Sequence, residues 1–111
     1  MKSYSKIIYV AGKFQNNHAN KEHIEKCCRV FQQHHPDFLF INGVSQFSHM
    51  YKDVDYYIGL SMCLALLKKS ADEVWTVGDY SDSIGTNVEL FVAEENHIPV
   101  KLNMDKVLNV K

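Results

Sequence analysis

The amino-acid sequence predicts an α/β domain built on a parallel sheet. Short β-branched and aromatic runs at 6–10, 38–41, 73–77 and 98–102 alternate with longer stretches of helical character. The segments between successive runs are long enough for right-handed crossovers. At 111 residues the chain can bury one core but not two, so a single domain over 1–111 is expected.

Taken in order, the run 6–10 ends at Ala11 and Gly12 and reads as a buried first strand closed by a tight turn. From Asn20 to about His34, Ile24, Cys27, Cys28 and Phe31 recur on one helical stripe, and Pro36 blocks continuation. The run 38–41 supplies the second strand, with Asn42 and Gly43 closing it as residues that tolerate positive φ. Residues 44–55 mix Ser45, Gln46, Ser48, His49, Tyr51 and Asp53 without a period, which predicts a long loop. The segment 57–69 spreads Ile58, Leu60, Met62, Leu64, Leu66 and Leu67 around the helical wheel. One face then packs on the sheet and another on a second subunit, giving a homodimer or larger assembly.

The third strand is expected at 73–77, with a polar turn at 78–82 and a helix over 84–96 for which Asp82 and Ser83 are cap candidates. Residues 98–102 complete the set. The expected architecture is a three-layer sandwich, flavodoxin-like or Rossmann-like, with four parallel strands in the order 2-1-3-4.

Charge and cysteine content narrow the partners. Lys plus Arg total 12 against 13 for Asp plus Glu, so no net field exists to hold a nucleic acid polymer or a membrane surface. The polar start of the chain and the short apolar run after it are unlike a signal-peptide core or a membrane span, which predicts a cytoplasmic protein. Cys27, Cys28 and Cys63 show no CxxC spacing and read as reduced core thiols. His18, His23, His34 and His35 lack a third ligand at any recognised spacing, so no metal and no cofactor are expected.

In open parallel sheets, ligands bind outside the carboxyl ends of the strands at the switch point of strand order, here the loops after Val10, Ile41 and Val77. The last of these is the most informative. Ser83, Gly85, Thr86 and Asn87 open a helix whose free N–H groups suit an anion, and Gly85 permits close approach. Glu89 lies one turn further in, level with Gly85, Thr86, Val92 and Ala93, whereas Glu94 and Glu95 face water. Two readings of Glu89 remain open on spacing alone. It serves either as part of a capping arrangement or as a nucleophile or sugar-hydroxyl acceptor. Tyr9, Gly12, Lys13 and His49 are the other candidates, with a core tyrosine, a solvated lysine and an exposed histidine as their ordinary readings.

The stretch Ile8-Tyr9-Val10-Ala11-Gly12, the strand that runs from Ala71 through Trp75 to Gly78 and Asp79, and Ser83-x-Gly85-x-x-x-Glu89-Leu90 resemble the nucleoside 2-deoxyribosyltransferase superfamily. The likeness runs from about Lys6 to Val100 and is strongest to small bacterial and phage members. It implies that Glu89 attacks the anomeric carbon of a deoxyribosyl group while Tyr9 positions it. It also implies a small nucleoside or nucleotide ligand. Ser83 matches the phosphate-contacting serine of the deoxynucleotide N-hydrolases instead of the aspartate of the transferases. A second family aspartate, which serves the leaving base, has Ser61, Met62, Cys63 and Leu64 as its nearest counterparts, none of them a carboxylate. The loss of such a group removes an effect worth about 10²–10⁴-fold. Asp53 or Asp55 is the alternative source. The residues therefore leave three functions open: N-glycosidic hydrolysis or transfer, nucleotide binding without turnover, and a structural subunit whose apolar helix over 57–69 is the interaction surface.

Overall fold

The computed structural model describes residues 4–50 and 53–111. The chain runs β1 (Lys6–Ala11), α1 (His18–His34), β2 (Phe38–Ile41), α2 (Gly43–Phe47), a 3-10 turn (Ser48–Met50), α3 (Tyr56–Ser70), β3 (Glu73–Thr76), α4 (Ile84–Glu95), β4 (Val100–Lys101) and α5 (Met104–Val107). The strands form one parallel sheet in the order β2-β1-β3-β4, as the sequence predicts.

The period-two alternation of β1 creates the layers. Ile8 and Val10 point to one face, where they pack with Ile24, Cys27 and Phe31 of α1 and with Met104 of α5. Tyr9 and Ala11 point to the other face and pack with Leu67 of α3 and Ala93 of α4. Trp75 of β3 anchors the first layer, its ring 5.2 Å from Phe31 and 5.3 Å from Phe40. Its indole N–H donates to Glu73 at 3.0 Å, and Glu73 is held in turn by Lys6 of the neighbouring strand at 2.5 Å. A carboxylate at the sheet centre is tolerated because it is bonded from both sides.

Each long helix starts on a side-chain cap. Asn17 accepts from the Asn20 amide at 3.1 Å, Asp55 from Tyr57 at 2.8 Å, and Ser83 from Thr86 at 3.2 Å. Asp82 is exposed and does not cap α4. Asn42 and Gly43 do not form the expected positive-φ turn. Asn42 has φ −153° and caps α2 by accepting from Ser45 at 2.7 Å. An Asn at a turn and an Asn at a helix cap use the same local hydrogen bond, so sequence does not separate them. The expected loop 44–55 consequently contains α2 and the 3-10 turn, both too short to show a period; its Tyr51 lies outside the described residues. α5 was not anticipated either. It is a single turn, fixed by buried Met104 and Asp105. Among the described residues, no helix is long and apolar enough to cross a membrane.

Phe31 is 0% exposed at the centre of the aromatic cluster. Phe31→Ala should destabilise the fold by about 3–5 kcal/mol, read as a lower urea midpoint with an unchanged slope.

Candidate functional site

The carboxyl ends of β1 and β3 open into a cleft of about 380 Å³. The strand order explains its position. The chain leaves β1 toward β2 on one side and returns to β3 on the other, so the two outgoing loops diverge and leave a crevice. The β1–α1 loop contributes Gly12, Phe14, Gln15 and Asn16. α2 contributes Gly43 and Val44, and the start of α3 contributes Asp55, Tyr56, Leu60 and Cys63. The start of α4 contributes Ser83, Gly85, Thr86 and Glu89.

Glu89 and Tyr9 meet at the inner end of the cleft. β1 aims Tyr9 toward the α3 and α4 layer, and the inner stripe of α4 carries Thr86, Glu89 and Ala93 inward. The Tyr9 phenol donates to Glu89 Oε2, with Tyr9 1% and Glu89 7% exposed. Burial pushes the Glu89 carboxyl up to about 7, against the opposing pull of the Tyr9 hydrogen bond. Burial, the neighbouring Glu89 charge and Cys63 together hold the Tyr9 phenol well above its ordinary value, so it remains a donor.

Gly43 is required by close approach, and Gly85 stands where an added side chain would press on Tyr56. A Cβ on Gly43 would lie 2.4 Å from Cys63 Sγ and 2.6 Å from the Tyr9 hydroxyl. A Cβ on Gly85 would lie 3.0 Å from the Tyr56 hydroxyl. Neither has positive φ. Backbone strain is found instead at Gln15 and Asn16, consecutive left-handed residues with φ 49° and 52° on the cleft wall.

The capping reading of Glu89 does not hold. Ser83 is the cap, its hydroxyl accepting from the Thr86 amide and donating to Thr86 Oγ1 at 3.1 Å. The Ser83 amide donates to Tyr80 O at 2.9 Å, and the Glu89 carboxylate is occupied by Tyr9.

Of the sequence candidates, Tyr9, Gly12, Ser83, Gly85, Thr86 and Glu89 converge on the cleft. The remaining three do not line it. Lys13 is held by Asp82 at 3.2 Å, bridging the two loops that flank the cleft. Asn87 Nδ2 donates to Tyr80 O and Ser83 O at 3.2 and 2.8 Å, which stitches the loop to the helix. His49 is exposed on the 3-10 turn. Gly43 and Tyr56 were not singled out by sequence. The only signal for Tyr56 is its place directly after the Asp55 cap.

No protein-family model matches the chain, and no curated protein matches it. Chemically, the site offers a buried carboxylate of near-neutral pKa, a phenol that orients it and a helix amino end suited to an anion.

The raised Glu89 pKa sets a pH dependence of stability. The folded chain holds the proton more tightly than the unfolded one, so this contribution is complete below the ordinary 4.5 and is lost as pH rises through about 7. At about 1.36 kcal/mol per pH unit, the loss is on the order of 3 kcal/mol. Glu89→Gln keeps an acceptor for Tyr9 and carries no charge. It should melt at a higher temperature than the parent at pH 8 and at a similar one at pH 4, as followed by circular dichroism.

Proposed function

We propose that the protein binds a nucleoside monophosphate in this cleft and cleaves or transfers at its N-glycosidic bond. The observation that carries the reading is the Tyr9–Glu89 pair, a buried carboxylate oriented by a phenol at the inner end of an open cleft. In this reading the ionised Glu89 attacks the anomeric carbon, and the bond to the base breaks with its electron pair leaving on the base. A glycosyl ester on Glu89 results, and water or a second base then releases it. Tyr9 holds the attacking oxygen in place. The amino end of α4 and Ser83 receive the phosphate. Asp55 is a second carboxylate on the cleft wall, where it would meet the base. The likeness of the sequence to the nucleoside 2-deoxyribosyltransferase superfamily agrees with this assignment.

A second reading has its own support. Among the α3 positions 61–64 that correspond to the family's second aspartate, Cys63 lines the cleft and none is a carboxylate, and this favours a protein that binds a nucleotide and returns it intact. A homodimer through the outer side of α3 belongs to either reading, since Tyr57 and Ile58 are 68% and 53% exposed. Light scattering should then give twice the chain mass.

Incubation with 2′-deoxynucleoside 5′-monophosphates, followed by chromatography, separates the two readings. An enzyme releases free base, and Glu89→Ala should reduce the rate at least about 10³-fold with an unchanged circular dichroism spectrum. The rate should rise with pH through about 7, because the ionised carboxylate is the nucleophile. Base release by Glu89→Ala at the parental rate would exclude the mechanism. Calorimetric binding with the nucleotide recovered whole would establish the second reading.

A further inference from the structure

We propose that His23, Cys27 and Asp105 form a zinc site on the α1 side of the sheet, separate from the cleft. Their donor atoms all lie within 4.8 Å of one another. His23 and Cys27 are one helical turn apart on α1 and share a face, while α5 brings Asp105 to them. His23 Nε2 is 3.1 Å from Asp105 Oδ2 and 3.6 Å from Cys27 Sγ. Zinc bonded at about 2.0–2.1 Å to nitrogen, 2.3 Å to sulfur and 2.0–2.2 Å to oxygen requires tetrahedral edges of roughly 3.3–3.7 Å. The two edges from His23 Nε2 are therefore within a few tenths of an ångström of those of that tetrahedron. The third, from Cys27 to Asp105, is no longer than 4.8 Å and shortens to fit by side-chain rotation at the partly exposed end of the cluster.

The arrangement excludes a thiol nucleophile of the relay type. Such a relay places the thiol on one imidazole nitrogen and the carboxylate on the other. Here both approach Nε2, so the three groups converge on a point. Cys27 is a core residue of the inner α1 stripe, and its place one turn from His23 adds a sulfur donor to the His–Asp pair. One thiolate and one carboxylate balance the charge of a divalent ion, which suits a site where Cys27 is 0% and Asp105 6% exposed. Asp105 is already oriented by outer contacts, as metal-binding carboxylates are. Its Oδ2 accepts from the Gly78 amide at 2.9 Å and its Oδ1 from the Lys106 amide at 3.1 Å.

Burial holds the Cys27 thiol up at about 12, so it is protonated without metal. On binding, zinc replaces that proton, which leaves to solvent; nothing is oxidised or reduced. Access is from the side of His23, whose side chain is 35% exposed and borders a surface groove along α1. Three protein ligands leave the fourth position for water. The ion would tie α1 to α5 and, through Asp105, to the turn at Gly78.

The test uses the full chain stripped of metal and titrated with zinc, then with cobalt as a spectroscopic stand-in. One zinc should bind per chain and raise Tm by about 10 °C at hundredfold excess over Kd. Cobalt should give the intense visible bands of tetrahedral coordination together with a near-ultraviolet thiolate charge-transfer band. Cys27→Ser should abolish that near-ultraviolet band, and Cys28→Ser should retain it. Because Cys27 is fully buried, His23→Gln at the partly exposed ligand is the second variant, and it should weaken zinc at least about 10–100-fold. A cobalt spectrum without a thiolate band would overturn the site. So would zinc affinity unchanged in His23→Gln, or no zinc binding below millimolar concentration.

Discussion

The hydrogen bond from Tyr9 to Glu89 is the constraint around which the α3 and α4 side of the molecule is arranged. A carboxylate out of water is expensive unless it is neutralised or bonded, and here both occur, with the proton held up to about pH 7 and the phenol donating. Three elements must agree for that contact to exist. β1 has to present Tyr9 and not Ile8 or Val10 to this layer, which fixes its register against β2 and β3. α4 has to begin at Ser83, so that Glu89 falls on the inward stripe with Thr86 and Ala93. α2 has to bring its backbone against the phenol, which only Gly43 permits.

The same constraint explains which parts of the site the sequence revealed. Glu89, Ser83, Gly85 and Thr86 were legible because cap, glycine and carboxylate stand within a short stretch whose helical geometry is fixed by spacing alone. Tyr9 was legible because strand alternation is equally local. Gly43 and Tyr56 belong to segments distant in sequence, and each joins the cleft only through tertiary packing. Asn42 was misread for a related reason: a short polar residue before glycine satisfies either a turn or a cap, and the choice is made by where Val44 packs. Lys13 and Asn87 show the limit from the other side. Both stand next to cleft residues in sequence, yet one bridges the flanking loops to Asp82 and the other stitches the β3–α4 connection.

The fold was more readable than the site because it is decided by averages. The apolar runs set strand positions, crossover length sets handedness, and the order β2-β1-β3-β4 follows from covering both faces of a small parallel sheet. The elements missed, α2, the 3-10 turn and α5, are the short ones. In these a single cap or a single buried side chain outweighs any periodic signal.

One place where the two faces of the sheet are joined is the turn after β3. Gly78 adopts φ 69°, and its amide is held by Asp105 from the α1 side of the molecule. The next residues run through Asp79, where Ser81 bonds the carboxylate, to Tyr80, whose carbonyl accepts from Ser83 and Asn87 at the start of α4. Thr76, fully buried, accepts from the Asn103 amide and so fixes the approach to α5 as well. The position of the α4 amino end, and with it the depth of Glu89, therefore depends on a carboxylate that does not touch the cleft. A change at Asp105 reaches the ligand site through the backbone of the loop, because its hydrogen bond to Gly78 selects one conformation of a residue that is otherwise free to adopt several.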